Sequence, residues 1–340
     1  MDRIRRDGFA ADMVGTMVGA SGGAKWLVLS QLDRYLLSHV VPQFKGPVHL
    51  LGSSIGSWRF ACYGQRDALA AINRFEQAYI EQSFSDNPDR AEISALTRRI
   101  LQVLLGDTGV EEALSHPVFR THVMTVRARH FATSENSFLL GGSLLVAALL
   151  NIVSRRSLGL SYERALFYDS RDIPPFHDLS GFPMQTVPMS ADNYGDAVLA
   201  TGAIPLVIEG VRDIVGATPG VYRDGGVIDY HHDLETSEPG RLTLYPHFYP
   251  YIIPGWFDKK LSWRRADGRD TQRTVLISPS PEFVQTLPGR KIPDRTDFMN
   301  YSQTERVRVW REVVSACEAL ADELADVLEN GRLAERLEPL

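Results

Sequence analysis

Apolar positions along the chain follow two interleaved periods. Short runs at Met13–Val18 and Val48–Leu51 read as buried strands, and each passes into a glycine-rich turn, Gly19–Gly23 and Gly52–Gly56. Behind the first turn, Trp26, Leu27, Leu29, Leu32, Leu36 and Leu37 recur at helical spacing, which predicts a helix over about Ala24–His39. Behind the second, Trp58, Phe60, Ala61 and Cys62 begin another. Helices are also predicted over Asp67–Ile80, with Leu69, Ile72, Phe75 and Tyr79 on one face, and over Asp89–Leu105, where Pro88 and Asp89 supply a start signal. His122–Arg129 and Arg164–Tyr168 read as strands. A helix over Asn193–Thr201 stops at Gly202, ahead of Pro205. Val221–Arg223 is a strand that meets Asp224-Gly225-Gly226, and Thr274–Ile277 is a further strand. The polar stretches Thr236–Arg241 and Arg264–Thr271 read as loops. The chain closes with a predicted long amphipathic helix carrying Val307, Trp310, Val314, Cys317, Leu320, Leu324 and Leu328 on one side. Strands alternating with helices point to an α/β class. Neither polar loop is long enough for a linker, so one domain over residues 1–340 is expected.

Composition narrows this picture only a little. The 340 residues are 44% hydrophobic and 23% charged, as in an ordinary globular protein. The formal net charge of -6 argues against nucleic acid as the main partner. The two cysteines, Cys62 and Cys317, lie in apolar stretches and read as buried free thiols of a reducing compartment. The polar start, Met1–Gly8, lacks the apolar stretch of a secretory signal, and no apolar run approaches twenty residues. A cytoplasmic location is expected.

The candidate chemistry sits in the glycine turns. Gly52-Ser53-Ser54-Ile55-Gly56 has the form G-x-S-x-G, the pattern of a nucleophile elbow between strand and helix. Flanking glycines let so tight a turn close, and the following helix aims N–H groups at a developing oxyanion. Gly19-Ala20-Ser21-Gly22-Gly23 fits the same pattern, so Ser21 is a rival nucleophile. An economical division makes Ser54 the nucleophile and the Gly19–Gly23 loop (Gly19, Ala20, Ser21, Gly22, Gly23) the oxyanion hole. A nucleotide loop is disfavoured, because Lys25 stands between Ala24 and Trp26 and the P-loop pattern is not met. None of the nine histidines lies in an obvious catalytic signature. Asp224, at a strand end and followed by Gly225 and Gly226, is the better candidate base.

A glycine loop, then G-x-S-x-G, then Asp-Gly-Gly resembles the patatin-like phospholipase family in content and order. Ala200-Thr201-Gly202-Ala203-Ile204-Pro205 resembles the small-residue and proline segment that precedes the aspartate there. The similarity covers a core of about residues 9–235, leaving 236–340 as a C-terminal extension. It implies a three-layer α/β/α fold with a mainly parallel central sheet, a Ser54–Asp224 dyad without histidine or cofactor, and an acyl-enzyme intermediate. The implied substrate is a fatty acyl ester or phospholipid. The chain departs from the family's pattern in Met17 and Val18 ahead of Gly19, in Ser21 where an arginine is usual, and in the bulky Ser57-Trp58-Arg59 after the elbow. Two other readings stay open: an acyltransferase using the same pair, and a non-catalytic lipid- or protein-binding relative.

Three further features carry expectations. The apolar stretch Ser143–Val153 reads as a buried packing helix, with lining of an acyl pocket as the alternative. Tyr245–Arg265 mixes Phe248, Tyr249, Tyr251, Trp256, Phe257 and Trp263 with Lys259, Lys260, Arg264 and Arg265. Its prolines argue for a folded loop over the core; peripheral membrane contact, if the substrate is a membrane lipid, is expected through 245–265. Asp229, His231, His232 and Asp233 lack a metal-ligand motif and read as surface polar residues, with no metal expected.

Overall fold

A computed structural model describes residues 2–269 and 271–339. Met1, Asp270 and Leu340, which belong to the expected polar start, loop and domain end, lie outside the described residues. Strands of two to ten residues pair into one nine-stranded sheet among them. The strands are β1 (Val14–Gly19), β2 (Val48–Ser53), β3 (Phe119–Ala128), β4 (Tyr162–Tyr168), β5 (Met184–Pro188), β6 (Val211–Arg212), β7 (Val221–Asp224), β8 (Leu242–Pro246) and β9 (Thr274–Ile277). Their order is β5-β4-β3-β2-β1-β8-β9, with β6 and β7 attached beside β3. Most pairings are parallel; β3 with β4, β3 with β7 and β6 with β7 are antiparallel. Strands β8 and β9 belong to the stretch expected as an extension, yet they add to the same sheet next to β1.

Side-chain alternation divides this sheet into two buried faces. Leu50, Val123, Ala165 and Phe167 join the larger core, with Phe60, Ala61, Ile72 and Phe75 of the helices Ile55–Tyr63 and Ala68–Ile80. Their neighbours Leu51, Met124 and Leu166 point the other way, against Phe176. On that same side Val126 and Ala128 pack on Leu140, Leu144 and Ala147 of the helix Ser137–Val153. Helices cover both faces, so the fold is a three-layer α/β/α arrangement with a mainly parallel sheet, as expected. Both cysteines are free and buried.

Several elements differ from the expected ones. The Ala24–His39 helix begins as a 3₁₀ turn at Gly23–Leu29 before it becomes α-helical at Ser30–Tyr35. The single long C-terminal helix is two helices, Gln303–Ala316 and Glu318–Glu329, broken at Cys317. The heptad-like apolar spacing continues across the break because both helices keep one face on the core, which periodicity cannot distinguish from a straight helix. The helix Ser137–Val153 is not buried all round. Leu140, Leu144, Ala147 and Asn151 face inward, while Phe138, Leu145, Leu149 and Val153 are exposed.

The bulky residues after the elbow have structural work. Trp58 donates its indole N–H to the Val198 carbonyl at 2.9 Å. Arg59 is buried and meets the equally buried Asp33 of the helix Ser30–Tyr35 through Nε at 2.8 Å, and Tyr63 donates to the same carboxylate at 3.0 Å. This charge pair fastens the elbow's helix to the helix after the first glycine loop. Asp33→Ala leaves a guanidinium without its partner in the interior and is expected to cost ~3–5 kcal/mol. Urea unfolding of the variant checks this; a loss under 1 kcal/mol would show that water reaches the pair.

Candidate active site

Strand β3 brings the two candidate residues together. Strand β2 runs parallel to it and ends with Ser53 beside Met124. The next residue of β3, Thr125, pairs with Asp224, the last residue of β7, which runs antiparallel. β2 and β7 therefore approach head-on along one flank of β3, and their C-terminal ends meet. Ser54 follows directly on β2. Its Oγ donates to Asp224 Oδ2 at 2.7 Å, and both residues are buried.

The local backbone matches a nucleophile elbow. Ser54 has φ 50° and ψ -130°, a strained conformation for a residue with a side chain. It caps the helix Ile55–Tyr63, and its own N–H donates to Thr201 Oγ1 at 2.8 Å. Thr201 in turn donates to the Met124 carbonyl, so one threonine ties the elbow to β3. Ala203, two residues on, accepts the Asp224 N–H at 3.1 Å. The Ala200–Pro205 segment thus braces both halves of the pair. Glycine is required where the loops touch: a Cβ on Gly56 would strike the carbonyl of Gly19.

Ser21 occupies a different situation. Its φ is not positive, its N–H donates to the Tyr230 carbonyl at 2.9 Å, and its hydroxyl pairs with Ser53 Oγ at 2.8 Å. Ser53 passes that contact to the Asp229 carbonyl. No carboxylate or imidazole reaches Ser21 within hydrogen-bond distance among the described residues. The loop nevertheless lies at the site, because Ser21, Gly22 and Gly23 line the same cleft as Ser54, Asp224 and Gly226. The amides of Gly22, Gly23 and Ile55 donate to no other group among the described residues.

The cleft holds about 190 Å³. Besides the two loops, Ile204, Pro205, Val227, Tyr230 and Trp256 give it apolar walls, and Lys25, Lys259 and Arg295 bring positive charge. Asp294, Arg295 and Thr296 come from the far end of the chain, and no motif in that region marked them. The ammonium of Lys259 lies 4.1 Å from the Tyr230 ring centroid, and burial lowers its pKa to about 7, with Lys25 and Arg295 adding to the effect. Burial also raises the pKa of Asp224 to about 6, against the opposing hydrogen bonds from Ser54 and the Gly226 N–H and the charge of Lys259.

Of the four polar residues expected at the surface after Asp224, Asp233 is half-buried and the other three are interior. Asp229, His231 and His232 are all buried. Asp229 forms a two-pronged pair with Arg164, both contacts at 2.7 Å, which holds its carboxyl below the usual range. His231 accepts from the Ile253 N–H at 3.0 Å and stacks on Tyr230, and burial drives its pKa well down. The expected surface position of these residues is thus corrected: Asp229 is held inside by its ion pair with Arg164, and His231 by its backbone contact and ring stacking. Of the aromatics in 245–265, Tyr245 and Phe248 are buried, and Trp263 is 67% exposed.

No family model matches the chain, and no curated protein matches it. Among solved structures, the crystal structure of VipD from Legionella pneumophila superposes over 92% of this chain and 67% of that one, with 11% identity and a TM-score of 0.37. A likeness this loose carries no functional argument. The class is set by the molecule itself: an α/β protein with a serine on a strained strand-to-helix turn, hydrogen-bonded to a buried aspartate.

The raised pKa makes the aspartate a stability liability. Asp224 prefers its neutral form in the folded state, so its contribution is full below about pH 4 and is lost as the pH rises through about 6. The shift from 3.8 corresponds to on the order of 3 kcal/mol at neutral pH. Asp224→Asn is therefore expected to melt higher than the parent at pH 8, with the gain shrinking toward pH 4. Melting curves across that range check it, and a lower melting temperature at pH 8 would refute it.

Proposed function

We propose that this chain is a serine acyl hydrolase of the patatin-like type, acting on fatty acyl esters. The observation that carries the proposal is the 2.7 Å hydrogen bond from Ser54 Oγ to Asp224 Oδ2 at a residue of positive φ. Ser54 Oγ attacks the acyl carbonyl while its proton passes to Asp224, and the carbonyl electrons move onto the oxygen. The amides of Gly22, Gly23 and Ile55 are the candidate donors to that oxyanion, in keeping with the loop Gly19–Gly23 as its cradle. Collapse expels the alcohol, which takes the proton from Asp224, and leaves an ester on Ser54. Water, giving its proton to Asp224, then releases the acid and restores the serine.

The aspartate is fit for this work. A carboxylate with a pKa of about 6 is a stronger base than an exposed one and is still ionised at neutral pH. The buried histidines do not compete: His231 is committed to backbone, and His232 has its pKa lowered to about 4. The apolar walls of the cleft suit an acyl chain, and peripheral contact with a lipid surface fits such a substrate.

On a short-chain nitrophenyl ester, Ser54→Ala and Asp224→Asn are each expected to lower kcat/KM by about 10³-fold or more. A fluorophosphonate probe should label the parent and Ser21→Ala but not Ser54→Ala. Labelling of Ser54→Ala at Ser21 would reverse the assignment of the two loops.

The pH profile offers a separate check. Activity requires Asp224 ionised, so kcat/KM is expected to fall on the acid side through about pH 6. Lys259→Met removes a charge that favours the carboxylate and should move this limb upward. A limb unmoved by Lys259→Met would mean that another group titrates there.

A further inference from the structure

The helix Ser137–Val153 has an outer face unlike that of an ordinary surface helix. Its inward stripe, Leu140, Leu144, Ala147 and Asn151, follows the expected spacing. The outward positions should then be polar. Instead Phe138, Leu145, Val146, Leu149, Ile152 and Val153 are each more than half exposed, Phe138 at 91%. The helix contains no Asp, Glu, Lys or Arg, and a Cβ on Gly141 or Gly142 would meet only open space. At 17 residues it presents an apolar ridge roughly 25 Å long. Patches of this kind on a globular protein mark a docking surface.

We propose that this ridge seats the protein on a lipid bilayer that contains anionic lipid. This rests on the acyl-hydrolase reading for the identity of the occupant as a lipid surface, and it moves the point of contact from the aromatic stretch 245–265 to the helix beside it. Three observations favour a bilayer over a protein partner. First, apart from Phe138 the ridge is aliphatic, and it offers no charged side chain, so it fits a partner that needs no directional pairing, whereas protein interfaces are enriched in aromatic residues and Arg. Second, the charge at its C-terminal end is positive although the chain is acidic overall. Arg156 and Lys260 are exposed there, and Arg264 donates to the carbonyls of Asn151 and Ile152 at 2.9 and 3.2 Å. Cations beside an apolar face suit anionic headgroups, and the exposed Trp263 suits the interface between headgroup and chain.

Third, the ridge is physically joined to the cleft. Asn151 of the helix donates to Asp258 at 2.8 Å, and Asp258 sits between Trp256 and Lys259, both of which line the cleft with Ser54. Arg155, just past the helix, closes on Asp258 at 3.3 Å. A protein resting on this ridge therefore places the segment 256–259, one wall of the site, near the lipid surface.

The test is flotation of Ser54→Ala full-length protein with large vesicles of phosphatidylcholine alone and of phosphatidylcholine with phosphatidylserine. No turnover is involved, so the outcome is separate from that of the nitrophenyl ester assays. The protein is expected to float with the vesicles, more so with phosphatidylserine and less so in high salt. Adding Leu149→Gln, at an exposed position, should weaken vesicle partitioning about tenfold or more; adding Trp263→Ala, outside the helix itself, should weaken it in the same direction and guards against a folding defect in the first variant. Failure to float, or partitioning unchanged by both substitutions, overturns the proposal. So does a dimer in analytical ultracentrifugation that Leu149→Gln dissociates while vesicles remain unbound, which would assign the ridge to a second copy of this chain.

Discussion

The site depends on one strand having two partners on the same flank. β3 continues past the point where β2 leaves it, and β7 fills the vacated edge from the opposite direction. A strand that ends inside a sheet leaves backbone groups of its neighbour unpaired, which costs stability unless another strand takes them. Here the replacement satisfies β3 and at the same time sets the end of β7 against the end of β2. Ser54 and Asp224 are 170 residues apart in sequence and share a 2.7 Å hydrogen bond as the result. Thr201 accepts from the Ser54 N–H and donates to the Met124 carbonyl, and Ala203 accepts from the Asp224 N–H, which together lock the junction.

For the proposed reaction, that arrangement sets stability against chemistry. Burial gives Asp224 its basicity, and the same burial penalises its charge in the folded protein. Ser54 adds the strain of its positive φ. The surroundings that tolerate both contain buried charge pairs: Asp33 with Arg59, and Asp229 with Arg164. Such pairs contribute little net free energy against an apolar replacement, but each is costly to break. The Asp33–Arg59 pair links the helices that follow the two glycine loops, and those loops lie so close that Gly56 and Gly19 meet backbone to backbone.

Much of this was legible in the residues. The runs of apolar positions located β1, β2, β4, β7 and β9 to within a few residues, and the two glycine turns marked the places where backbone must bend sharply or approach another loop. The small-residue segment Ala200–Pro205 was visible as a feature, and its purpose became clear only when Thr201 was seen to bond Ser54. Composition misled at Asp229–His232, because polar residues in sequence suggest a surface; Asp229 is buried against Arg164, a partner 65 residues away that no local pattern reveals.

By itself the amino-acid sequence determined the α/β class and a short set of candidates, Ser54, Ser21 and Asp224, since local period and turn chemistry are properties of neighbouring residues. What distinguishes the two serines is visible only in the tertiary structure. Positive φ at Ser54 and the reach of a carboxylate to it are set by where β7 lies, which no local pattern encodes. The same holds for the cleft wall at Asp294–Thr296 and for the outer ridge of Ser137–Val153. A helix apolar on every side does not say which side the core will cover; packing against Val126 and Ala128 decided it, and left the other side open.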